Sequence, residues 1–104
     1  MARQHDPEKI KLEIFYHDRD SGKLIEKEMI AAPNQFQALL KIYKLSLRFD
    51  SKKHYIVVKC DGSKVRPTFL IKNLRRYGIE VVEPEKYPSG EEGITFNKIK
   101  EIQA

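Results

Sequence analysis

Lys64-Val65-Arg66-Pro67-Thr68-Phe69-Leu70-Ile71 can be read as a strand or as the entry to a helix. Its alternation of polar and apolar residues suits a strand. Pro67, however, offers no backbone N–H to a ladder and would confine such a strand to a sheet edge. In the first turn of a helix the missing N–H costs nothing. Leu70, Leu74 and Tyr77 then share one face, and Gly78 stands where helices commonly stop. The helix is the preferred reading, and it gives a β-β-α-β-α-β order. That order is a small single α+β domain, a mixed sheet with both helices packed on one face. The strand reading would give ββαββ, an arrangement analogous to a ubiquitin-like β-grasp.

On the N-terminal side, Tyr55-Ile56-Val57-Val58-Lys59-Cys60 is β-branched and aromatic, the composition of a central strand, and Asp61-Gly62 marks a turn. Before it, Asn34-Gln35-Phe36-Gln37 carries the spacing of a capping box. Phe36, Leu39, Leu40, Tyr43 and Leu47 recur at three- and four-residue intervals, which predicts a helix over residues 34–49 with those side chains toward the core. Arg48, Lys52 and Lys53 near its end suit the negative pole of its dipole. Earlier still, Lys11–His17 and Leu24–Ile30 flank the turn cluster Asp18-Arg19-Asp20-Ser21-Gly22 and predict a hairpin. Residues 1–9 read as a flexible polar lead-in to a domain over 10–104. On the C-terminal side, Ile79–Glu83 predicts a short strand stopped by Pro84. Residues 85–93 form a loop, and 94–102 add an edge strand or a short helix.

With 104 residues, 40 % hydrophobic and 34 % charged, the chain can build one modest core under a heavily charged exterior. The only cysteine is Cys60, so no internal disulfide can form. The N-terminal residues lack the apolar run of a signal peptide, and no stretch approaches the ~18 apolar residues of a membrane span. These features point to a cytoplasmic protein with no membrane partner.

The charge is segregated. Eleven cations between residues 36 and 77 face only Asp50 and Asp61, a net +9, while the flanks carry nine cations and thirteen acids, a net −4, for the total of +5. Lys41, Lys44 and Arg48 are spaced to line one helix face away from Leu39 and Tyr43. Lys72, Arg75 and Arg76 do the same on the second helix, and Lys52, Lys53, Lys64 and Arg66 lie in the basic link between them. A solvated helix usually interleaves Glu with Lys, and this segment does not. Phe49, Tyr55, Phe69 and Tyr77 are interleaved with the cations. A small core without Trp claims most such rings, and Phe69, near Lys72 and Arg76, is the one expected to join the basic surface.

No catalytic or metal constellation accompanies this charge. His5, His17 and His54 have no ligand spacing to each other or to Cys60. Asp18 and Asp20 are not followed by calcium-loop ligands, and G-x-x-x-x-G-K is absent. A nuclease of the restriction-enzyme type would want an acid ahead of Lys59, where Val57 and Val58 stand. The expectation is therefore a non-enzymatic module without cofactor or metal that holds the phosphate backbone of DNA or RNA. The cations named above, with Phe69, form its surface. The alternative is a small protein-binding regulator or inhibitor, of the kind phages and mobile elements encode, that engages an acidic surface of a host protein.

Overall fold

The N-terminal hairpin forms because alternating side chains can bury one face while the turn satisfies its own backbone. β1 (Ile10–Asp18) and β2 (Leu24–Ala32) pair antiparallel around that turn. The Asp18 carboxylate accepts from the Ser21 and Asp20 amides at 2.8 and 3.1 Å, and Gly22 takes φ 77°. Those bonds to Ser21 hold the Asp18 carboxyl below its usual range. The computed structural model describes residues 10–96; the expected lead-in over 1–9 and the end of the tail lie outside the described residues.

α1 (Gln35–Ser46) begins at Asn34, whose side chain accepts from the Gln37 amide at 2.9 Å, as the capping pattern requires. β3 (His54–Cys60) pairs antiparallel with the other edge of β1. At Asp61 and Gly62 both φ angles are positive, 51° and 81°, which turns the chain tightly into the two-residue β4 (Ser63–Lys64). α2 (Pro67–Arg75) follows with Pro67 in its first turn. The contested segment is thus a helix preceded by a two-residue return strand, and the ββαββ alternative falls. β5 (Val81–Val82) pairs with β6 (Thr95–Phe96), and Ile94 bridges to Ile56 on β3.

The main sheet runs β2-β1-β3-β4, and each described pairing is antiparallel. Leu12, Ile14, Ile56 and Val58 lie on one face of it, where Ala38, Leu39, Ile42 and Leu45 of α1 and Leu70 and Leu74 of α2 join them in one core. Both helices therefore cover the same face of an α+β domain. Burying each large aliphatic side chain contributes about 1.5–3 kcal/mol, so this cluster dominates folding.

One part of the α1 expectation is corrected. Leu39 is buried, but Phe36, Tyr43 and Leu47 are not; Ala38, Ile42 and Leu45 take the core positions. α1 carries two apolar stripes that share Leu39 and are centred about a third of a turn apart, and periodicity alone does not choose between them. The inner stripe has the smaller and aliphatic side chains, which pack closely over a sheet. Tyr77 is likewise exposed rather than packed with Leu70 and Leu74. Cys60 closes β3 half-buried.

The opposite face of the sheet is covered near β1 and β3 by the segment 83–93. The Tyr55 and Ser89 hydroxyls lie 2.5 Å apart, the Tyr55 and Tyr87 rings meet edge-on at 6.1 Å, and Lys59 pairs with Glu91 at 3.5 Å. Gly93 lets this strap pass directly beside the Ile56 carbonyl, where a methyl group would collide. Burial of Tyr87, with the Glu83 charge beside it, pushes its hydroxyl pKa up to about 12.

Candidate nucleic-acid interface

α1 has a buried face and two differently furnished flanks. Lys41, Lys44 and Arg48 occupy one flank, and it overlooks β2. The Lys41 ammonium donates to the Ala31 carbonyl at 2.5 Å, and Arg48 reaches Glu28 at 3.5 Å. Glu28 also accepts from the Tyr16 hydroxyl at 2.8 Å. Burial first, and then this bond and the carboxylate charge, raise the Tyr16 pKa well above its ordinary value. Arg48 is therefore partly neutralised, while Lys44 is exposed with no ion pair among the described residues.

The other flank is apolar and open. Phe36, Tyr43 and Leu47 are 44 %, 39 % and 71 % exposed. Phe36 meets Tyr77, just beyond α2, with ring centroids 5.2 Å apart and near-perpendicular planes. This contact identifies the apolar flank as the one facing the α2 side. The two basic helical stripes consequently do not merge: the Phe36–Tyr77 pair stands between them.

On α2, Lys72, Arg75 and Arg76 project away from buried Leu70, Asn73 and Leu74, exposed and without ion pairs among the described residues. Lys64, at the end of β4, and Arg66, the N-cap of α2, are exposed just ahead of that helix, so exposed cations stand before, along and at the end of it. Phe69 is 42 % exposed and lines an apolar groove of about 190 Å³ with Gln35, Ala38 and Leu39 of α1. Lys52 and Lys53 are brought to neither stripe. They sit at the far end of the sheet, where the Arg19 amide bonds the Lys53 carbonyl and Lys52 shares a groove with Asp20 and Glu85. Lys59 is tied to Glu91, so the acidic strap offsets part of the charge that the sequence concentrates.

No family model, curated protein or solved structure matches this chain. The site therefore rests on its own geometry. Among the described residues no group of His, Cys, Asp and Glu could hold a metal ion, and no helix is long and apolar enough to cross a membrane.

Of the four rings interleaved with cations, Phe49 and Tyr55 are buried, whereas Phe69 and Tyr77 are exposed. Phe36 and Tyr43 were assigned to the core by spacing and instead join the surface. The available signal was the second apolar stripe, Ala38-Leu39-Ile42-Leu45, which is sufficient to bury the helix without them.

Proposed function

We propose that this chain is a non-enzymatic nucleic-acid-binding module whose helical layer holds phosphate backbone. The observation that supports it most is the set of exposed cations in and around α2, Lys64 and Arg66 ahead of it, Lys72 and Arg75 within it and Arg76 at its end, with no ion pair among the described residues. Lys44 adds an exposed charge on α1 with no ion pair among the described residues, and Lys41 and Arg48 extend it. A surface lysine freed of carboxylates can displace condensed counterions from a phosphate, and this entropy gain drives non-specific binding. Contacts of this kind position a strand without reading its bases. Affinity is expected on the order of 10⁻⁴ to 10⁻⁶ M at physiological salt. Fluorescence anisotropy of labelled DNA and RNA across a salt series tests the proposal. Binding that does not weaken with salt would remove phosphate contacts from the account.

Leu47 favours a second reading. At 71 % exposed it is the most open large apolar side chain described, and it has no ring to stack on a base. An apolar centre rimmed by cations also suits an acidic protein surface, where one or two anchors would carry most of the energy.

A further inference from the structure

Resting on the nucleic-acid reading above, we infer that the occupant is a single strand rather than a duplex, held by its bases on the ring-bearing flank between the two basic stripes. Four observations lead there. The Phe36–Tyr77 pair is presented on the outer surface rather than packed away, with both rings 44 % exposed. Tyr43 follows Phe36 by seven residues, two turns of the same flank, which places it about 10 Å further along α1. Its ring makes no contact with another ring among the described residues and is 39 % exposed, which leaves part of it open to solvent. Exposed cations adjoin the rings in sequence, Lys44 after Tyr43 on α1 and Arg76 before Tyr77.

A duplex keeps its bases stacked inside and offers a convex surface only phosphates and groove edges, so exposed rings gain nothing from it. An unpaired strand offers both phosphates and free base faces. Aromatic residues interleaved with a cationic track are the combination that single-stranded nucleic acid exploits, largely irrespective of sequence. Over ~10 Å, the ring pair and Tyr43 would serve on the order of three nucleotides at the ~3.4 Å spacing of a stacked strand.

The test uses the full chain with labelled oligo-dT, oligo-rU and a blunt duplex of equal length at low salt. The parent should bind at least one single strand more tightly than the duplex. Tyr43→Ala should weaken single-strand binding about five- to a hundred-fold while leaving duplex binding unchanged, and Tyr43→Phe should restore it. The chain has no Trp, so Tyr43→Trp supplies a single reporter whose emission should be quenched by a stacked base. Equal or tighter duplex binding, with Tyr43→Ala indistinguishable from the parent, overturns the single-strand inference and leaves the phosphate-binding proposal standing. If none of the three probes binds, both fall.

Discussion

Gly93→Ala should destabilise the domain although the residue lies outside the regular helices and strands. Gly93 is buried, and a β-carbon there would collide with the Ile56 carbonyl and crowd the Tyr55 ring. Relieving the clash means moving the strap away from β3. That breaks the reciprocal bonds between Ile56 and Ile94, at 2.8 and 2.9 Å, in a place water does not reach. Each bond is worth about 0.5–1.5 kcal/mol net, and loosening Ile94 adds part of an aliphatic burial. The loss should be about 2–4 kcal/mol, a large share of the ~5–15 kcal/mol that holds an ordinary domain. Urea denaturation followed by circular dichroism would read it as a lower midpoint with an unchanged slope. At an uncrowded site the same substitution commonly stabilises by ~0.4–1 kcal/mol, because it stiffens the unfolded chain. A variant as stable as the parent, or more so, would refute the close passage of the strap over Ile56.

The choice of buried stripe on α1 gives an opposing pair. Ile42→Ala should cost about 2–5 kcal/mol in the same denaturation experiment, and Leu47→Ala less than about 0.5, with reversed magnitudes overturning the assigned helix face. Asn34→Ala should remove the cap on Gln37 and lower stability by about 1 kcal/mol, read as a fall in Tm; an unchanged Tm would contradict the cap. The raised Tyr16 and Tyr87 values mean that the folded state holds these protons more tightly than the unfolded chain. Their contribution is intact below about pH 10, the ordinary tyrosine value, and is lost as pH climbs toward the folded values. Tyr16→Phe should therefore flatten the alkaline fall of stability in pH-dependent unfolding, and an unaltered profile would refute the role of the Tyr16–Glu28 bond. Lys44→Glu with Arg76→Glu, in a variant that melts like the parent, should weaken oligonucleotide binding and shallow its salt dependence; parent-like binding would dismiss both stripes.

Much of the architecture was legible because local chemistry and the tertiary fold agree. Asn34 caps the helix its spacing implies, Asp18 and Gly22 close the hairpin, and Pro67 opens α2. The short β4 escaped because two residues carry no periodicity, and the strap escaped because its anchors, Tyr55 to Ser89 and Gly93 against Ile56, are contacts between distant parts of the chain. For the candidate site, the exposure of the helical cations followed from helical spacing. Their division into separate groups did not, since it depends on which flank of α1 faces α2. Neighbours also altered the charge: Glu28 and Glu91 answer Arg48 and Lys59 from elements remote in sequence. The ring surface was misassigned because α1 offers more apolar side chains than the sheet can cover.

The most direct test of the account is the salt dependence of oligonucleotide binding by the intact chain. If the exposed cations of the helical layer grip phosphate, log K should fall linearly with log salt, with a slope of ~0.7 per phosphate on a single strand or ~0.9 on duplex DNA, summing to several contacts. An absence of binding to any oligonucleotide at low salt would contradict the proposal and leave the cations to a protein partner or to solubility alone.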